Sequence, residues 1–169
     1  MRILRLTFLF TLIGGSFWLS SCKSTSGAEP SIEEAQLKLL AGTGTKTWTT
    51  SQVRFGAGNT DRTSEYSGMK ITIKGTFSST ATSYSYEVTG KPSVSPWSTS
   101  GTWAFDSNDP ESVVIRLTDK GGNTENLPIT YSITQNQLQL NFTYSGGGYD
   151  QSGRVSAVEG TWIFLFTSN

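Results

Sequence analysis

Histidine is absent from the 169-residue chain, and cysteine occurs once, at Cys22. Without histidine the chain lacks the side chain most often used as a general base near neutral pH. The two shortages also remove the ligands of most zinc, haem and copper sites. A single cysteine forbids a disulfide within one chain. Neither sign of charge is in excess, with 13 basic and 13 acidic side chains. No overall field therefore gathers an anionic surface, and no basic face marks a nucleic-acid binder. Proline is scarce, at five. Serine, threonine, glycine and aromatic residues are plentiful. Tyr, Phe, Trp and Thr suit half-buried pleated surfaces, and Gly, Asn and Asp supply turns. The expected class is all-β, and the length suits one domain.

Arg2 and Arg5 precede an apolar run from Leu6 to Ile13, followed by Gly14, Gly15, Ser16, Phe17, Trp18 and Leu19. The run is short for a hydrocarbon layer of ~30 Å, which takes about 20 helical residues. A charged start, a short apolar middle and small residues at its end describe a secretory signal peptide. Leu19-Ser20-Ser21-Cys22 resembles the lipobox of bacterial lipoproteins: an apolar residue, two small ones, then the cysteine. The resemblance implies cleavage of residues 1–21, diacylglycerol on the Cys22 thiol and acylation of the new amine. One acyl chain binds a membrane marginally, whereas two or three hold firmly. Loss of Arg2 and Arg5 turns the balanced 13 and 13 into a net charge of −2. Lys23, where an aspartate would retain such a lipoprotein at the inner membrane, implies the outer membrane. The lack of an acidic run after the cysteine favours the periplasmic face.

Residues 22–30 are small and polar, as a lipidated flexible tether should be. Ser31-Ile-Glu-Glu34 then has the spacing of a capping box. Ile32, Ala35, Leu39 and Leu40 give an apolar side, and Gly42 stands where a helix stops. A short amphipathic helix is expected over 32–40, covering one end of a β domain that fills 31–169. Beyond Gly42 the apolar period becomes two. Met69, Ile71, Ile73 and Phe77 alternate with polar residues, as do Tyr84, Tyr86 and Val88. Val113, Ile115 and Leu117 follow, then Leu127 to Ile133 and Leu138 to Tyr144. Each reads as a strand with one wet and one buried face. Strands also begin near Trp103 and Trp162, the latter apolar on both sides and expected to be covered on both. In the first strand Trp48 and Val53 differ in parity, which predicts a bulge.

A two-residue turn at Gln135-Asn136 pairs Ile133 with Leu138, Tyr131 with Leu140, Ile129 with Phe142 and Leu127 with Tyr144. All eight apolar residues then share one face, which a slip of one residue would destroy. Eight short strands joined by polar turns predict an antiparallel up-and-down barrel, whose closure removes exposed edges. A two-sheet β-sandwich is the alternative.

The chain resembles the lipocalin-like domains of small bacterial lipoproteins. The matching features are a short helix leading into Gly42-Thr-Gly-Thr-Lys-Thr-Trp48, then Gly101-Thr-Trp-Ala-Phe105, the 129–140 hairpin and Gly160-Thr-Trp-Ile-Phe164. The resemblance implies an eight-stranded barrel, often with an apolar cavity. It also implies that Trp48 closes one barrel end beneath a stacked Arg154. The Gly-x-Trp spacing is stretched here. Ile71, Ile73, Tyr84, Tyr86, Tyr131 and Phe142 are expected either to line a cavity or to fill a core, since a barrel of this size permits both.

No nucleophile–base pair assembles from this composition. Asp61, Glu65, Asp106, Asp109, Glu111, Asp119, Glu125 and Asp150 fall in apparent loops, as solvated turn residues do. No enzyme and no cofactor or metal is expected. Trp97, in Lys91-Pro-Ser-Val-Ser-Pro-Trp97, sits where no pattern buries it. With Tyr66 and Tyr149 it forms a candidate surface platform for a glycan or envelope protein. Alternatively it folds over the barrel mouth as a lid. The function expected is a non-enzymatic protein, held to the membrane through Cys22, that binds a small apolar or amphiphilic molecule. An envelope structural or interaction protein is the alternative.

Overall fold

The computed structural model describes residues 29–119, 124–145, 148–149, 154–155 and 158–168. The expected signal peptide, Cys22 and most of the tether lie outside the described residues. Among the described residues no helix is long and apolar enough to cross a membrane.

Helix α1, Ile32–Ala41, starts at Ser31, whose Oγ accepts the Glu34 N–H at 3.2 Å. Glu33 and Glu34 suit the positive end of the helix dipole. Gly42 ends it at φ +63°, a conformation natural to glycine, and donates its N–H to the Lys38 carbonyl. The buried face differs from the expected one. Leu37, Leu40 and Ala41 are buried, while Ile32 is 51 % exposed and Ala35 is also exposed. Only the last turns of this short helix meet the barrel, so apolar residues of the first turn stay outside.

Eight strands form the wall: β1 (Thr45–Phe55), β3 (Lys70–Lys74), β4 (Tyr84–Thr89), β5 (Ser100–Phe105), β6 (Val113–Asp119), β7 (Thr124–Ile133), β8 (Gln137–Tyr144) and β11 (Gly160–Thr167). Each pairs antiparallel with the next, and β11 pairs back onto β1 from Thr49↔Thr167 to Phe55↔Trp162. Every wall strand therefore has two neighbours, and the barrel is closed. The sandwich alternative fails on that closing ladder. Three short strands decorate it: β2 (Thr60–Asp61) on the far end of β1, and the separate pair β9 (Gly148–Tyr149) and β10 (Arg154–Val155).

The bulge in β1 lies between Thr50 and Gln52, where the register against β11 shifts. It lets one strand serve two neighbours: residues 45–49 pair with β3 and residues 49–55 with β11. It also puts Trp48 and Val53 both inside. The Gln135-Asn136 turn holds, with Ile133↔Leu138 and Tyr131↔Leu140 in register.

Two expectations about the walls are corrected. In β6 the inward residues are Val114 and Arg116, while Val113, Ile115 and Leu117 are half-buried. The apolar majority faces outward because the Arg116 guanidinium finds a backbone acceptor inside the barrel. In β11, Trp162, Phe164 and Phe166 are buried, but Ile163 and Leu165 remain half-exposed. A single-layered barrel offers no second sheet to cover them.

One end of the barrel is sealed by α1. The Trp48 Nε1–H donates to the Leu40 carbonyl at 2.9 Å. Lys46 Nζ donates to the carbonyls of Leu39 (3.3 Å) and Gln135 (2.5 Å), tying helix and β7–β8 turn together. Strand β4 runs away from this end, so the β4–β5 connection carrying Trp97 lies at the opposite mouth.

Candidate functional site

The mouth opposite α1 is filled by the segment Ser95-Pro96-Trp97-Ser98, all four residues of which are buried. Pro92 and Pro96 lower the number of backbone N–H groups needing acceptors, which eases burial of a loop. Ser95 Oγ accepts the Trp97 N–H at 3.2 Å, closing a local turn. The barrel wall supplies the other partners. The Tyr66 hydroxyl bonds the Ser95 side chain. The Tyr86 hydroxyl and Ser98 Oγ share a 3.0 Å bond, and Ser98 Oγ donates to the Ser100 carbonyl at 2.8 Å. Arg116 Nη1 donates to the Pro96 carbonyl at 2.8 Å.

The indole of Trp97 enters an aromatic box. Tyr86, Phe142 and Phe164 meet it edge to face, with centroids 5.9, 5.3 and 5.9 Å away. Such geometry adds to the burial of the ring itself. The Arg116 guanidinium lies 5.4 Å from the Trp97 ring centre and 5.5 Å from that of Tyr144. Tyr66, at the end of a short 3-10 turn (Thr63–Tyr66), stacks by its edge on Trp162 and Phe164. Burial pushes its hydroxyl pKa up to about 12, against a smaller lowering by the Ser95 bond.

Beneath Trp97 a cavity of about 40 Å³ remains, and the described residues give its lining no polar surface. Its walls come from both ends of the barrel, Leu40 below and Trp97 above, with Val114 and Leu140 at the sides. A water needs roughly 10–15 Å³ but also two or more polar partners, so this void is dry. With Trp97 in place it is far below the roughly 300 Å³ at which drug-sized ligand pockets begin. The indole N–H groups of Trp97 and Trp103, both lining residues, are buried with no acceptor among the described residues.

Of the six expected cavity residues, Ile71, Ile73, Tyr86 and Tyr131 line this void. Tyr84 sits towards the α1 end against Trp103 and Phe105, and Phe142 packs on Trp97. The Tyr131 hydroxyl donates to the Pro110 carbonyl at 2.6 Å, and burial raises its pKa, with Asp109 and Glu111 adding to the rise. The Tyr66, Tyr86 and Tyr131 hydroxyls find protein partners at the barrel ends.

The expected surface platform does not form. Trp97 is 2 % exposed and Tyr66 1 %, because both rings gain more from the aromatic box than from water. The Tyr149 side chain lies outside the described residues. Trp48 is fully buried at the α1 end, and the cation over its ring is Lys46, 4.0 Å from the centroid. Arg154 belongs to the connection between Tyr144 and Gly160, which leaves the barrel at the other end, and its side chain lies outside the described residues. In the acidic β5–β6 turn, Asp106 Oδ1 accepts the N–H groups of Asn108 and Asp109, so that carboxylate serves the turn. Arg116 escaped the sequence reading, since a lone charge in Val113-Val-Ile-Arg-Leu117 was read outward with the apolar set inward. No protein-family model, curated protein or solved structure matches the chain.

Proposed function

We propose that the chain is a non-enzymatic cell-envelope protein whose barrel takes up a small apolar or amphiphilic molecule, and that the closed mouth is its ligand-free form. One observation carries the reading: the roof of the dry apolar cavity is a loop segment, whereas its walls are ladder-paired strands. Residues 95–98 can leave the mouth without breaking any pairing between wall strands, and their departure joins the Trp97 site to the void below. The exchange gains a further term from the Trp97 N–H, which has no acceptor among the described residues and finds water once outside. Leu19-Ser20-Ser21-Cys22 supports the wider setting, a lipoprotein of the lipocalin-like kind anchored through Cys22 at the periplasmic face of the outer membrane.

Native mass spectrometry of the mature chain with Cys22→Ser, purified gently from its own cells, tests the barrel reading. A co-purifying small molecule lost on denaturation is expected; an apo mass together with no uptake of added apolar probe would refute it. Cys22→Ala in the full chain should move the protein from the membrane to the soluble envelope fraction. The alternative reading, an envelope interaction protein, draws on the outer wall, where half-exposed Ile163 and Leu165 sit on the strand beside Gln139 and Asn141. Co-sedimentation with cell-wall glycan that is abolished by Leu165→Asp would favour it.

A further inference from the structure

We propose that the slot holding the Trp97 ring is a binding site for a flat, uncharged aromatic molecule of about two fused rings, whose place Trp97 takes while the mouth is closed. It rests on the barrel-binding reading above and names the class of that ligand. The walls of the slot belong to paired strands and stay when the plug goes. Phe142 on β8 and Phe164 on β11 lie parallel, 1° between their planes, on one side of the barrel. Tyr86 on β4 stands four strands from β8 in the closed ladder and so faces them from the other side. Trp97 crosses the space between at 83°, 82° and 80° to Phe142, Phe164 and Tyr86. All three wall rings are buried.

Competition with the plug selects the ligand. A tethered plug competes at an effective concentration in the millimolar range, so an incoming molecule must recover what Trp97 gives up. Any apolar molecule recovers the burial. Only another aromatic ring recovers the edge-to-face contacts, which add to the value of the buried area. An alkyl chain forfeits all three. The Trp97 N–H has no acceptor among the described residues, so the slot asks for no polar atom at the ring's edge, and a carbocyclic ring avoids burying an unpaired donor. The apolar void of about 40 Å³ beneath is room that Trp97 leaves unused. A ring system longer than indole, or one with a short apolar branch, gains burial there that the plug lacks. A charge in that void would be costly.

The test compares 2-naphthol with decahydro-2-naphthol at neutral pH, where both are uncharged, on the mature chain with Cys22→Ser. The two share a carbon skeleton and a hydroxyl, and the saturated compound buries at least as much surface, so area alone gives it no disadvantage. Isothermal titration gives affinity, and the indole N–H resonance of Trp97, assigned by its loss in Trp97→Phe, reports departure of the plug. 2-Naphthol should bind once per chain and at least about tenfold more tightly than its saturated partner, with saturable change at Trp97. Phe142→Leu keeps the wall apolar and removes one aromatic partner, so it should cut that ratio by about two- to tenfold; the work of expelling the plug falls on both compounds and cancels. Equal affinities in the parent protein, or a ratio unmoved by Phe142→Leu, would overturn the aromatic assignment while leaving the barrel reading intact. Should Phe142→Leu fail to fold, Trp97→Ala, whose slot is already open, decides: equal affinities there overturn the assignment. A parent protein that binds neither compound while Trp97→Ala prefers 2-naphthol would show that the plug does not yield, overturning the barrel reading and the site with it. Binding of neither, even to Trp97→Ala, would overturn both as well.

Discussion

Replacing Trp48, Trp97, Trp103 and Trp162 by phenylalanine, one at a time, separates two classes of buried indole. All four rings are buried, at 5 % exposure or less. Each change removes part of a ring and leaves a void of about 40 Å³, which costs roughly 1 kcal/mol. The four differ in what happens to the N–H. Trp48 donates to the Leu40 carbonyl and Trp162 to the Val158 carbonyl, both at 2.9 Å. Phenylalanine leaves those buried carbonyls short of a donor, at a further cost of about 1–3 kcal/mol. Trp97 and Trp103 have no acceptor among the described residues. There the substitution removes an unpaired donor and recovers about 1–3 kcal/mol. Trp48→Phe and Trp162→Phe should therefore lose about 2–4 kcal/mol, while Trp97→Phe and Trp103→Phe fall near neutral or gain. Urea unfolding followed by far-ultraviolet circular dichroism measures the series, with equal m values required for comparison. If Trp97→Phe or Trp103→Phe costs as much as Trp48→Phe, those N–H groups have partners after all. The closed mouth would then hold no unsatisfied indole donor.

Stability should decline steeply in alkali. The Tyr66 pKa is raised to about 12 in the folded state against about 10 unfolded, so its contribution is complete below pH 10 and is lost as pH climbs towards 12. The loss runs at about 1.4 kcal/mol per pH unit for each such tyrosine, and Tyr131, also raised by burial, adds to it; unfolding free energies flat from pH 9 to 12 would refute the sign. Val114→Ile extends a methylene into the 40 Å³ void and should stabilise by up to about 1 kcal/mol, read as a raised Tm; a lowered Tm would mean that no relaxed rotamer reaches the space. Gly90 has φ +65°, and a Cβ there would come within 2.0 Å of the Gly68 carbonyl oxygen. Gly90→Ala should cost more than about 2 kcal/mol, whereas Gly68→Ala, whose Cβ would stand 3.8 Å from the Gly90 oxygen, should cost much less; comparable urea midpoints for the two variants would show that the loop base yields easily.

Much of the barrel was legible because its signals are local and agree with one another. In the β7–β8 hairpin a turn and eight alternating apolar residues accept only one register. The bulge in β1 could be read from a parity conflict between Trp48 and Val53, which a regular strand cannot resolve when both must face inward. Ser31 and Gly42 fixed the helix ends through capping, which depends on neighbours a few residues apart. The buried face of α1 was misread because it depends on where a ten-residue helix meets the barrel. Ile32 is as apolar as Leu37, yet no wall reaches it. In β11 the apolar Ile163 and Leu165 suggested a second layer, and only the closing pairing with β1 rules that layer out.

The remaining two discrepancies fall together in space. Arg116 was read as facing water with the apolar set inward, and of the two readings of Trp97 the surface platform fails while the lid over the barrel mouth agrees with its burial. Each reading is sound for the residue alone. A guanidinium is costly inside a barrel without an acceptor, and a loop indole has no strand partner to bury it. In the structure each removes the other's difficulty. The plug brings the Pro96 carbonyl to Arg116, and the barrel gives Trp97 three aromatic edges and a cation. Period and composition, which treat residues in sequence order, offered the lid for Trp97 only as one of two readings and did not offer the inward Arg116 at all. Local rules broken in concert at one spot are what a functional site tends to look like.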